Sequence, residues 1–110
     1  MMIGGNVNAI LQHKTSFKNT FGVLTDRWET ITTIRGFLDY IGGDGSYKTT
    51  YRGKISETTH IFICDYVNLG DIPTSRLLIN GKHYEILLID DPMGLHRHLE
   101  LFLKYNEVIK

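Results

Sequence analysis

The chain has 110 residues, with 12 Lys and Arg against 12 Asp and Glu; hydrophobic residues make up 42% and charged residues 22%. That length supports a single domain over 1–110 with one core, and the composition is that of a folded chain, not a disordered one. Zero net charge excludes a generic DNA-wrapping protein, which needs a surplus of positive charge. The lone Cys64 excludes an internal disulfide and a four-cysteine zinc site.

No run approaches the roughly 18 apolar residues that span a bilayer, so no membrane partner is expected. The start, Met1-Met2-Ile3-Gly4-Gly5, lacks the basic-then-apolar layout of a secretory signal. A reducing compartment fits the cysteine usage. Residues 1–55 carry seven basic and four acidic groups, and 56–110 carry five and eight. Opposite charge on the two halves suits oriented contacts between neighbouring copies.

Along the chain the dominant local signal is β. Val7, Ala9 and Leu11 alternate with polar residues and predict a first strand from Val7 to Lys14. Thr15 to Asp26 is polar around Gly22 and reads as a loop. Trp28 to Tyr40 has apolar spacing that suits a helix. Its β-branched run Thr30-Ile31-Thr32-Thr33-Ile34 favours a strand, because such side chains fit a pleated surface.

Gly42-Gly43-Asp44-Gly45-Ser46 disfavours any regular element, and no apolar periodicity follows as far as Ser56. A structureless stretch this long in a compact domain is usually functional or disordered. Tyr47, Lys48, Tyr51, Arg52 and Lys54 lie in it and are its candidate contact residues.

Thr58 to Val67 predicts a strand, followed by a turn-rich break through Pro73. Arg76–Ile79 and Lys82–Asp90 flank Asn80-Gly81, the preferred two-residue type I′ turn. That turn sets Ile79 against Lys82, Leu77 against Tyr84 and Arg76 against Glu85, the last as a cross-strand ion pair. Asp91-Pro92-Met93-Gly94 is another turn, and His96 to Tyr105 is the last strand. About six strands without a long helix point to a small all-β barrel or sandwich. Several strands are apolar on both faces, such as Ile61 and Ile63 against Phe62 and Cys64. Such faces need covering, and a neighbouring subunit is the favoured cover over a loop of the same chain.

No persuasive active site emerges. His96 and His98, two apart on one strand, would share a face; with His60 or His83 they could approach zinc geometry, but a third ligand is not committed. Cys64 sits mid-strand between Phe62 and Tyr66, where a cysteine is ordinarily an inert small hydrophobe. The glycine cluster opens no helix and so lacks the context of a phosphate loop. Asp90 and Asp91 read as a turn cap beside Pro92. Trp28, Tyr84 and Phe102 could serve as stacking platforms, although aromatic strand residues are more often core. No cofactor and no metal is expected.

The order and spacing of several short motifs is more specific. These are Gln12, Gly22 with Trp28, Thr59-His60-Ile61-Phe62, Arg76, Asn80-Gly81-Lys82-His83-Tyr84-Glu85-Ile86, Ile89-Asp90-Asp91-Pro92 and His98-Leu99-Glu100-Leu101. Together they resemble the head–tail joining proteins of tailed bacteriophages, also called head closure, head completion or stopper proteins. The resemblance covers nearly the whole chain and is strongest from Arg76 to Leu101. It implies a six-stranded antiparallel β-barrel with a long inserted loop and room for one short helix. It also implies a non-enzymatic virion assembly protein that acts after DNA packaging. Members self-associate as a ring, commonly twelvefold, beneath the portal and its adaptor ring. The ring retains the genome and presents the docking surface for tail proteins. By position, Gly42–Ser56 would be the channel loop, with Tyr47, Lys48, Tyr51, Arg52 and Lys54 meeting packaged DNA or the adjoining ring. Glycines occupy the place where many members have a short helix, which is a departure from the pattern. The rival readings are a tail-completion or terminator subunit, an oligonucleotide-binding barrel, and a small metal-dependent enzyme using His60, His96 and His98.

Overall fold

The computed structural model describes residues 5–41, 58–69 and 74–106. Their strands are β1 (Val7–Lys18), β2 (Leu24–Tyr40), β3 (His60–Asp65), β4 (Ser75–Ile79), β5 (Lys82–Asp90) and β6 (His98–Tyr105). Every pairing is antiparallel, in the spatial order β1-β2-β3-β6-β5-β4, and β4 pairs back onto β1 to close a barrel. The helix among the described residues is a single 3₁₀ turn, Pro92–Gly94. The stretch from Gly42 to Ser56, with Tyr47, Lys48, Tyr51, Arg52 and Lys54, lies outside the described residues.

The barrel interior is built from the alternation read in the sequence. Ala9 and Leu11 of β1, Phe62 and Cys64 of β3, Leu77 of β4, and Leu101 and Leu103 of β6 are fully buried. Each large apolar side chain so enclosed contributes on the order of 1.5–3 kcal/mol. Gly36 of β2 makes room for this core. A Cβ there would overlap the Ile63 carbonyl oxygen and come within 2.6 Å of the Phe62 ring. β2 crosses β3 closely at that point because it has no side chain there.

The β4–β5 hairpin has the expected register: Ile79 with Lys82, Leu77 with Tyr84 and Arg76 with Glu85. Asn80 (φ 51°) and Gly81 (φ 78°) both take the left-handed backbone that the type I′ turn requires. The Arg76 guanidinium, however, turns toward β1 and β2. Its Nε donates to Gln12 Oε1 at 2.9 Å, and its carbon lies 4.1 Å from the centre of the Trp28 ring.

Two bulges interrupt the period of two. Ile31 is the extra residue where Leu11 pairs with Thr32 but Gln12 pairs with Thr30. Leu87 is the extra residue between the Ile86–Leu103 and Leu88–Phe102 pairs. The second bulge switches faces: Ile86 packs on the main core, while Leu88 packs with Ile61 and Phe102 in a second cluster. Ile61 and Phe102 are only 6% and 5% exposed in the isolated chain. The favoured reading, cover by a neighbouring subunit, is therefore corrected for Ile61 and Phe102, which one protomer already buries; Ile63 and Leu88 beside them are half-buried, and Phe37, paired with Ile63, is 41% exposed.

The reading of Thr15–Asp26 as a loop is also corrected. β1 runs on to Lys18 and β2 begins at Leu24, with Lys18 paired to Leu24. Only Asn19 to Val23 forms the turn. The Asn19 carboxamide oxygen accepts the backbone N–H of Phe21 at 2.9 Å and of Val23 at 3.0 Å, and Gly22 takes φ 76°. These bonds close the hairpin, while its apolar side chains, Phe21 and Val23, stay exposed.

Candidate interaction surfaces

β4 pairs with β1 only at Ile10–His13, and β3 pairs with β2 only at Gly36–Tyr40. The distal halves of β1 and β2 therefore leave the barrel as a two-stranded arm. Polar contacts line both of its faces. On one face Ser16 donates to Asp26 at 2.7 Å, Lys14 lies 3.7 Å from Asp26, and Gln12 donates to the Thr30 hydroxyl at 3.3 Å. On the other, Arg27 bonds Glu29 at 3.0 Å, His13 approaches Glu29 at 3.8 Å, and the Arg27 guanidinium stacks 4.5 Å from the Phe17 ring. Exposed pairs of this kind are worth up to about 1 kcal/mol each, so the arm is held by several small terms.

The base of the arm is anchored by Arg76, which is 8% exposed and is stacked on Trp28. Burial lowers the pKa of the guanidinium, yet a group of this kind remains charged at neutral pH. At the tip, Phe21 is 88% exposed, Leu24 68% and Val23 56%. Where β2 parts from β3, a groove of about 270 Å³ is lined by Thr32–Arg35 and Asp65–Val67. That is below the span of ordinary small-molecule pockets, roughly 300–1,000 Å³.

The histidines are dispersed. His60 pairs with Leu103 at one end of the β3–β6 ladder, and His98 pairs with Asp65 at the other. His96 does not lie on β6; it sits in the turn with φ 55°, its backbone N–H donated to Asp91 Oδ1 at 3.0 Å and its Nδ1 against Asp91 Oδ2. His98 bonds Glu100 at 3.0 Å. The expectation that His96 and His98 share a strand face is thus corrected. Among the described residues no three His, Cys, Asp or Glu side chains group to hold a metal ion. Asp91 closes the β5–β6 turn by accepting the Gly94 N–H on its carbonyl and the His96 N–H on its side chain, which makes no capping bond to the 3₁₀ turn itself, and Asp90 is paired on β5 with Glu100.

His60 is surrounded by Tyr40, Tyr84 and Tyr105 at ring-centre distances of 5.2, 5.0 and 6.4 Å. Its Nδ1 lies 2.9 Å from the Thr59 hydroxyl, which itself accepts the Tyr105 N–H. Burial, and then the charge of Lys82, lower the ring's pKa and favour the neutral form. Cys64 is fully buried, and burial followed by the Asp65 charge pushes its thiol up to about 11, far from a reactive thiolate. Tyr84 and Phe102 are core residues at 4% and 5% exposure, and Trp28 is covered on one side by Arg76. The three do not form a stacking platform.

The features that reach outward among the described residues are the arm and its apolar tip, on a small closed β-barrel. The model of the phage head completion protein family matches residues 6–105. The chain belongs to that family, a family of structural proteins of the virion head. No curated protein matches the chain. Among solved structures, a chain in the virion of a native gene transfer agent particle matches with TM-score 0.55 and 14% identity, covering 94% of this chain and 96% of that one. At that identity the likeness concerns the fold.

Proposed function

We propose that this protein closes the portal channel of a tailed phage head after DNA packaging and presents the surface to which the tail docks. The observation that carries the reading is the head completion family match across nearly the whole chain. The fold neighbour, taken from a virion particle, supports it. In this reading copies self-associate as a ring, twelvefold by family resemblance, with the portal and adaptor ring above and tail proteins below. The protein acts by assembly and not by catalysis. It is free in the host cytoplasm during assembly and then fixed at the head–tail interface. Tyr47, Lys48, Tyr51, Arg52 and Lys54 meet DNA or the adjoining ring at the channel. A neutral chain suits a channel wall that must not grip DNA, because phosphate contacts accumulate affinity.

Electron microscopy of particles made without this protein tests the proposal. Filled but tailless heads that leak DNA are expected. Normally tailed particles would overturn it.

A further inference from the structure

Among the described residues, the arm carries two open backbone edges on its opposite sides. In an antiparallel ladder, successive residues turn their N–H and C=O groups alternately to either side. Val23's carbonyl accepts the Asn19 N–H at 3.0 Å, so Leu24 and Asp26 direct their backbone groups away from β1. Lys14's N–H donates to the Thr74 carbonyl at 3.0 Å, so Ser16 and Lys18 direct theirs away from β2. Among the described residues no strand pairs with Leu24–Arg35 on the side away from β1, or with Ser16–Lys18 on the side away from β2. An open edge is a template for another strand, and folded proteins guard it with charged side chains, proline or bulges. Between Leu24 and Arg35 the bulge at Ile31 interrupts the edge, which leaves the outward groups of Leu24 and Asp26, nearest the tip, as the regular part of it.

We propose that these two edges meet between copies: Ser16–Lys18 of one protomer lies along Leu24–Asp26 of the next, so that each arm continues its neighbour's sheet. This rests on the ring of the head completion reading and gives that ring its seam. The occupant is a second copy for three reasons. Both edges belong to one ribbon, so repeating the ribbon by rotation keeps every added strand antiparallel, the stronger pairing. A contact between two different edges is heterologous and can close a ring, whereas one edge meeting itself stops at a dimer. The charges also agree: Lys18 makes no ion pair among the described residues, and laid beside the next copy it comes diagonal to Asp26 on the same face. The seam would cover Leu24, which is 68% exposed in the single chain.

The test mixes two variants, Ser16→Cys and Asp26→Cys. Directly opposed residues of an antiparallel pair have Cα atoms about 5.5 Å apart, within disulfide reach. The native Cys64 is buried and serves as the silent background. Oxidation of the mixture, both in concentrated protein and in assembled heads, should give a disulfide adduct between the two variants and none with either alone. Leu24→Pro removes one outward N–H at the first residue of a strand, where proline is tolerated, and should abolish the adduct while leaving the melting temperature unchanged. Leu24→Thr, which keeps the N–H, should retain it. A self-adduct of Asp26→Cys, or no mixed adduct in either setting, overturns the seam. Absence of the protein from heads counts against the head completion reading, and the adduct in concentrated protein still decides the seam.

Discussion

The barrel body and the arm are made from the same two strands but held by different physics. In the body, β1 and β2 alternate apolar residues into a shared core, where Ala9, Leu11 and Ile34 are buried. In the arm, no residue of the continuing strands is fully buried, and those nearest the barrel, such as Trp28, are half-buried. The arm is tied by Ser16–Asp26, Lys14–Asp26 and Arg27–Glu29, and by the Asn19 side chain at the turn. Burial scales with area and is cooperative, whereas exposed polar pairs are small and nearly independent. The body can therefore fix the fold while the arm remains available for contact.

Substitutions should separate the two regions. The largest effect is expected in the body: Phe62→Ala leaves a cavity at a fully buried position and should cost about 3–5 kcal/mol in chemical denaturation. Gly36→Ala is next. The added methyl meets the Ile63 backbone, and overpacking of this kind costs on the order of 1–3 kcal/mol. In the arm, Asn19→Ala removes the acceptor of two backbone N–H groups and should cost about 1 kcal/mol, with the loss confined to faster hydrogen exchange at the turn. Phe21→Ser at the exposed tip should change stability by less than about 0.5 kcal/mol. An arm substitution that unfolded the barrel would erase the distinction.

A pH titration sharpens the comparison from the body's side. His60 has a lowered pKa in the folded chain and regains about 6.5 when unfolded. The unfolded chain thus binds more protons between those two values, and stability rises with pH there. The contribution is complete above pH 6.5 and is lost as pH falls toward the folded pKa. His83 shifts in the same direction, through burial and then Arg76. The melting temperature should therefore fall on mild acidification, and His60→Gln should make that fall shallower. An unchanged slope in the variant would remove His60 from this account of the acid response.

Much of the body was legible in the sequence for local reasons. Asn80-Gly81 dictates a backbone that few other pairs adopt, so the β4–β5 turn and register follow directly. β2 was readable as a strand because five successive residues from Thr30 to Ile34 are β-branched. The arm was not readable, because strand recognition relies on one apolar face and the arm has polar residues on both. Its available signals were Ser16 and Asp26 placed to face each other, and Asn19 with Gly22 between them. The bulge at Leu87 was not readable either: one extra residue turns Leu88 away from the face of Ile86 and into the second apolar cluster, where strict alternation would have kept the two together. Glycine density and charge single out 42–56 for contact, whereas the outward-reaching features among the described residues lie on the arm.

Complementation in vitro is the decisive experiment for head completion. DNA-filled heads from an infection lacking this protein would be incubated with the purified chain and then with tails. Nuclease-resistant DNA and infectious particles should both be restored, in proportion to protein bound at the portal vertex. Heads that keep their DNA and accept tails without the chain, or that gain neither property with it, would contradict head completion.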